Sequence, residues 1–274
     1  MAEKTFYYED HVNDDFAKNG ITPKPVPADF PFVVTNIFWR ILEFITYRLI
    51  ATPLVYIIGK AGFGLKIKNR KAIRKLRGTG YYLYGNHTQD MMDAYTPTLV
   101  SFPKHAHIIV GPAAVSSAAL RLPVQLLGGI PIPESAKGKL NFMRAISLRI
   151  EQKRAVTVYP EAHIWPWYTG IRPFPAVSFA YPVRDGVPAV AFVTTYRRRK
   201  ILKKLPPLLT VTVSEPFYPD RTLNRAQARQ ELRDRVYEFM CSQAEKPDNY
   251  AYRRYVQRNK DVQQAEEKQW EIKA

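Results

Sequence analysis

The run Tyr81-Tyr82-Leu83-Tyr84-Gly85-Asn86-His87-Thr88-Gln89-Asp90-Met91-Met92-Asp93 decides how the rest of the chain is read. Its first four residues are aromatic or aliphatic with no breaker, which predicts a strand. The strand runs into a glycine, and a histidine follows with two carboxylates within six residues. A strand ending on Gly-Asn-His puts the imidazole at the edge of a sheet, where open α/β sheets hold their ligands. A carboxylate behind the ring fixes its tautomer and stabilises the imidazolium, so His87 with Asp93 or Asp90 reads as a general base near neutral pH. The competing reading is a hydrogen-bonded turn histidine, which this stretch alone favours.

Downstream, further strands are expected at 106–110, 128–133, 155–159, 188–194 and 208–213. Between them lie a short helix over 90–100, interrupted near Pro97, and an amphipathic helix over 135–154. The latter turns Leu140, Met143, Ile146 and Ile150 inward and Arg149 towards its flank. A last helix is expected over 222–244, with Thr222 as its N-cap. Strands separated by helical stretches predict an α/β layered domain with a largely parallel mixed sheet flanked by helices. At 274 residues the chain supports one substantial core.

Upstream, residues 1–34 form a polar and aromatic arm rich in proline. Residues 35–65 are apolar around a narrow polar stripe of Asn36, Arg40, Glu43 and Tyr47, and Pro53 is expected to break them into a helical hairpin. The stretch without charge, 49–59, is too short to span a bilayer, so the hairpin reads as membrane-interfacial or packed on the body. The adjoining segment 66–77 carries seven cations and no anion, a pattern that attracts anionic lipid headgroups. The core then runs over 66–245, and 246–274 is a polar tail.

The whole chain has 41 Lys+Arg against 24 Asp+Glu, a formal +17, which favours an anionic membrane surface, nucleic acid or phosphorylated ligands. Nucleic acid is the weaker of these, resting on the aromatic interleaving of Tyr196-Arg197-Arg198-Arg199. The single cysteine, Cys241, excludes an internal disulfide and a cysteine-based zinc site. The N-terminus has no export pattern, so a cytoplasmic setting, peripheral or monotopic on the membrane face, is expected.

Four stretches follow in order: Gly85-Asn86-His87 with Asp93, Gly128-Gly129-Ile130-Pro131-Ile132-Pro133, Val158-Tyr159-Pro160-Glu161, and Gly186-Val187-Pro188-Ala189-Val190-Ala191-Phe192. Together they resemble the glycerophospholipid acyltransferases of the 1-acylglycerol-3-phosphate acyltransferase type. The resemblance covers roughly residues 35 to 215 and implies transfer of a fatty acyl group from acyl-CoA or acyl carrier protein to a hydroxyl of a lysophospholipid-like acceptor. It implies no metal and no cofactor beyond the thioester donor.

His87 would be the base and Asp93 its partner, although the family spaces the aspartate one residue closer and Asp90 stays open. Glu161 would hold the acceptor or order the site. Backbone amides near Gly128 and Gly129 are candidates for the oxyanion site. The family's phosphate-binding arginine is missing after the second block, where Lys137, Lys139 or Arg144 stand in, and Arg172 replaces the one in the third. Two further readings remain: a metal-dependent phosphohydrolase using His87, Asp90 and Asp93, and a basic membrane-binding module without catalysis.

Overall fold

A computed structural model of the chain describes residues 4–16 and 20–258. Strand β1 is Thr5–Tyr8, β2 Lys66–Lys68, β3 Tyr81–Gly85, β4 Ala106–Val110, β5 Gly129–Pro131, β6 Ala155–Val158, β7 Ala189–Arg197, β8 Leu208–Val213 and β9 Arg254–Gln257. Seven of them form one sheet in the order β2-β8-β7-β3-β6-β4-β5. Only β7 and β8 pair antiparallel; β3 lies at the centre, with Tyr84 opposite Val158 on one side and Ala191 on the other. The fold is α/β, a largely parallel mixed sheet flanked by helices, as the alternation of strands and helical stretches predicts.

The pleat of β3 divides the core. Tyr82 and Tyr84 face one layer, built on Phe142, Ile146 and Ile150 of the helix Ala136–Glu151 and Leu232, Val236 and Met240 of the helix Arg225–Ala244. Tyr81 and Leu83 face the other, with Val55, Leu76, Leu99 and Val211. In the helix Ala136–Glu151, Leu140 is exposed and Arg149 buried, the reverse of the expected arrangement. The stripe is set by Phe142, Ala145 and Ile146, rotated away from Leu140.

Three local expectations are corrected by hydrogen bonding. Pro53 does not turn the chain back: one helix runs from Ile37 to Gly62, 26 residues long, where a hairpin was expected. Its turns widen to the π type over Ile45–Ala51, where the Thr52 amide and hydroxyl both donate to the Tyr47 carbonyl. That wide turn accommodates the proline, which would clash in a regular α-helix. At about 1.5 Å per residue the helix is roughly 39 Å long, and its composition and length would suit a membrane crossing.

Near the second proline, Pro97 opens the helix Thr96–Ser101 instead of interrupting one, because its missing N–H lies in the first turn. The cap of the last helix is Asn224, in a capping box with Gln227, while Thr222 bonds to Asp220. Finally, the two ends of the described chain meet: β1 and β9 pair in parallel, Phe6 opposite Tyr255. The tail is described as far as residue 258, and 259–274 lie outside the described residues.

Candidate active site

Because β3 and β6 are parallel neighbours, their carboxyl ends deliver His87 and Glu161 side by side. Gly85 closes β3 with the Phe192 ring packed on its Cα; an added Cβ would lie 2.1 Å from that ring. Asn86 then continues the sheet with its side chain, donating from Nδ2 to the Thr194 carbonyl (3.0 Å) and accepting the Thr194 amide (2.8 Å). A primary amide carries a donor and an acceptor as a peptide unit does, so Asn86 takes one more rung of the β3–β7 ladder and turns the next residue out.

His87 Nδ1 lies 2.9 Å from Asp93 Oδ2. The same oxygen accepts the amides of Thr88 and Gln89, each at 2.8 Å. Two amide donors make Oδ2 an acceptor, which assigns the proton to Nδ1 and leaves the Nε2 lone pair free. No described residue bonds Nε2, and the side chain is 18% exposed. Asp93 is buried, and burial pushes its carboxyl up against the pull of His87 and the two amides. Of the two candidate partners Asp93 is on the ring; Asp90 is exposed. The imidazole stacks on Tyr159, centroids 4.4 Å apart, and Tyr159 donates to the Asp93 carbonyl at 2.5 Å.

Glu161 is buried beneath this loop. Its carboxylate accepts the amide of His87 (3.1 Å) and that of Arg172 (3.0 Å), and burial raises its pKa against the opposing Arg172 charge. It orders the histidine's backbone and is not open to a ligand. Arg172 is fully buried as well. Its guanidinium lies 3.7 Å from Glu161, donates to the carbonyls of Glu161, His163 and Val12, and stacks over Trp165. No phosphate fork faces solvent there, contrary to the expectation.

Lys137 is exposed in the first turn of the helix Ala136–Glu151, just beyond β5. It stands on the same edge as His87 but three strands across, roughly 14 Å at the usual spacing, with no bond to the His87 cluster among the described residues. The Gly128-Gly129 amides are not near His87. They precede or open β5 at the opposite end of the sheet, and the Gly128 amide is taken by the Gln125 carbonyl at 3.1 Å.

Sequence reasoning missed the contributors from afar. Tyr196 donates to Thr88 Oγ1 (2.7 Å) and accepts from Gln89, pinning the loop after His87. The amides of Trp165 and Trp167 bond the carbonyls of His87 and Thr88. The N-terminal arm closes over this loop: Trp165 donates to the Asp14 carbonyl at 2.7 Å and stacks on Tyr255 of β9. The usable signal was the aromatic density of both termini, which an extended solvated arm has no need of.

A second histidine cluster lies at the foot of the sheet. Glu43, His105 and His107 bring their ligand-capable atoms within 4.8 Å of one another, the one such trio among the described residues. The set His87, Asp90 and Asp93 does not converge in this way. Arg154 already takes a cation's place at the foot, 3.3 Å from Glu43 and 3.0 Å from His107 Nε2.

In sequence, no protein-family model matches the chain, and no curated protein does. In structure, the chain is similar to the 1-acyl-sn-glycerophosphate (LPA) acyltransferase PlsC from Thermotoga maritima, with a TM-score of 0.51 and 13% identity over 78% of this chain and 86% of that one. At that identity the likeness establishes a shared fold.

Proposed function

We propose that this chain is an acyltransferase working at a membrane interface, moving a fatty acyl group from an acyl thioester to a hydroxyl of a lysophospholipid-like acceptor. The observation that carries the reading is the His87–Asp93 dyad with Nδ1 bonded inward and Nε2 free at the carboxyl edge of the sheet. Nε2 takes the acceptor's hydroxyl proton as the oxygen attacks the thioester carbonyl. The tetrahedral intermediate then expels the thiolate, which takes that proton back from the imidazolium. Asp93 holds the tautomer and the developing charge, while Glu161 and Arg172 hold the loop.

Lys137, exposed in the first turn of the helix on the same edge, is the cation assigned to the acceptor's phosphate, ahead of Lys139 and Arg144. The thioester is carried by coenzyme A or by acyl carrier protein, and the dyad itself needs no metal.

The interfacial placement is supported by the helix Ile37–Gly62, which lies inside out. Its polar Glu43, Tyr47 and Thr52 face the body, and Phe38, Phe44, Leu49, Ile50 and Ile57 face outward, each more than half exposed. It touches the body along its length, from Glu43 at Arg154 to Gly59 at Met92. A helix flat on its own domain presents its outer face to a bilayer surface more readily than it crosses one. Burying each large apolar side chain is worth about 1.5–3 kcal/mol, and the cations of 66–77 add attraction to anionic lipid. Both features support a peripheral or monotopic seat on a membrane surface, which we take to be the cytoplasmic face.

The test is thiol release from palmitoyl-CoA and palmitoyl-acyl carrier protein across a panel of lysophospholipids and other lipid alcohols, with and without chelator, beside His87→Ala. Acceptor-dependent release that survives chelation and is lost in the variant is expected. Release from neither donor with any acceptor sinks the reading.

A further inference from the structure

At the foot of the sheet, opposite the His87 edge, an open cavity of about 910 Å³ is lined by five cations and no acid. The 3-10 helix Arg70–Leu76 builds it by turning Ala72, Ile73 and Leu76 into the core, which leaves Lys71 and Arg74 outward, with Arg77 next in the chain. Neighbouring cations are already committed. Lys75 holds Glu215 at 2.6 Å, and Lys104 donates to the carbonyls of Arg77, Thr79 and Lys153. Lys71, Arg74 and Arg77 make no side-chain hydrogen bond or ion pair with a described residue.

Two buried hydroxyls line the same cavity, those of Tyr81 and Ser101. They are neighbours, yet neither makes a hydrogen bond of normal geometry. A buried donor without an acceptor is unfavourable, and an anion seated above the pair would relieve it.

The basic cavity adjoins an apolar groove of about 750 Å³ beside the helix Ile37–Gly62, the two sharing Ile67, Arg70 and Phe102 in their walls. The groove is walled by Leu49, Pro53 and Tyr56 on the helix and by Leu65 and Leu99 on the body. At the junction Arg48 and Arg70 lie over the Phe102 ring at 5.0 and 5.7 Å, and Arg48 Nη1 is buried without a partner. Charge at one end and hydrocarbon surface at the other match a single amphiphile.

We propose that this junction binds one molecule of an anionic glycerophospholipid, its phosphodiester between Arg74, Arg77 and the Tyr81 and Ser101 hydroxyls and one acyl chain in the groove beside the helix. The site is separate from the catalytic edge. Tyr81 opens β3 and His87 lies six residues on, which puts them roughly 20 Å apart along an extended strand. It therefore stands whether or not His87 catalyses acyl transfer. It also differs from diffuse attraction to a charged surface, because it seats a single lipid with defined stoichiometry.

The test is titration calorimetry of the full chain with dihexanoyl-phosphatidylglycerol held below its micelle concentration, so that no surface is present. Dihexanoyl-phosphatidylcholine and inorganic phosphate are the comparison ligands. One-to-one binding of phosphatidylglycerol is expected, with each comparison ligand weaker by about tenfold or more, since one lacks net charge and the other the chain. Arg74→Glu/Arg77→Glu weakens phosphatidylglycerol and phosphate alike by about tenfold or more. Leu49→Glu, exposed on the helix, weakens phosphatidylglycerol and leaves phosphate unchanged. Thermal midpoints of both variants show that the fold is intact, and repeating the titration on His87→Ala gives the same binding. Phosphate binding as tightly as the lipid, binding that survives Arg74→Glu/Arg77→Glu, or several lipids bound per chain would each overturn the proposal.

Discussion

The two ends of the sheet carry the same three groups and use them differently. At the carboxyl edge His87 stacks on Tyr159 at 4.4 Å and meets Asp93 at 2.9 Å. At the foot His105 stacks on Tyr47 at 3.6 Å and faces Glu43 at 3.7 Å, with His107 stacked behind it. The difference lies in what surrounds the second nitrogen. His87 keeps Nε2 unbonded at a partly open surface, whereas His107 Nε2 is met by Arg154 and His105 Nε2 is buried. Burial and the Arg149 and Arg154 charges hold both foot imidazoles well below their usual pKa, hence neutral. A histidine beside a carboxylate can thus serve as a base only where one nitrogen is fixed and the other is open to a substrate, which His87 alone of the three offers. At the foot the same groups dock the helix Ile37–Gly62 onto the body.

Exchanging the two histidines for alanine breaks this symmetry most sharply. His87→Ala is expected to lower acyl transfer by about 10²- to 10⁴-fold with a thermal midpoint close to the parent's. His107→Ala is expected to do the reverse, costing about 1–3 kcal/mol of stability with turnover per folded molecule retained. It removes the contacts to the Gly128 carbonyl and Arg154. Equal loss of turnover in both would erase the distinction between the two ends. Asp93→Asn sharpens the same point: an amide no longer fixes the tautomer, so kcat is expected to fall by about 10²- to 10⁴-fold with little change in KM.

The next largest effect separates ordering from binding at Glu161. Glu161→Gln leaves the Arg172 guanidinium buried without its counter-charge, and breaking a buried pair from one side costs about 3–5 kcal/mol. Denaturant unfolding is expected to show that loss, and the double variant Glu161→Gln/Arg172→Met to recover much of it. A raised KM for the acceptor with stability unchanged would instead make Glu161 a substrate contact.

Legibility in the sequence followed locality. Strand β3 reads directly because a central strand is buried on both faces and so is continuously apolar, and His87 with its aspartates follows in the next few residues. Pro53 misled because a π-type turn answers the proline through Thr52 and Tyr47, a contact no periodicity shows. Arg172 misled for a larger reason. An arginine in a Pro-, Gly- and Trp-rich loop looks exposed, yet its carbonyl partners include Val12, 160 residues away. The pairing of β1 with β9 and the foot cluster of Glu43, His105, His107 and Arg154 join points spread along the chain, where local patterning carries no record of the partner.

The smallest effect is in the pH dependence, where the two ends titrate with opposite sign. His105 and His107 have folded pKa values below their unfolded value of about 6.5. As pH falls from neutral through that value the unfolded chain takes up protons that the folded chain refuses, so stability drops towards acid and is recovered above it. Asp93 and Glu161 have folded values raised above the ordinary carboxylate range. Their buried form holds protons longer, so their contribution favours the folded state below that window and declines as pH rises through it. The histidine term is the part that substitution at the foot removes, and it acts on the seat of the apolar helix. Thermal midpoints measured from about pH 7.5 down to about 5.5 are expected to fall by a few degrees more in the parent than in His105→Gln/His107→Gln, since about 1 kcal/mol moves a chain of this size by roughly 2–4 °C. Identical slopes would mean that the foot imidazoles already exchange protons freely with solvent, and the contrast between the two ends would then reduce to geometry alone.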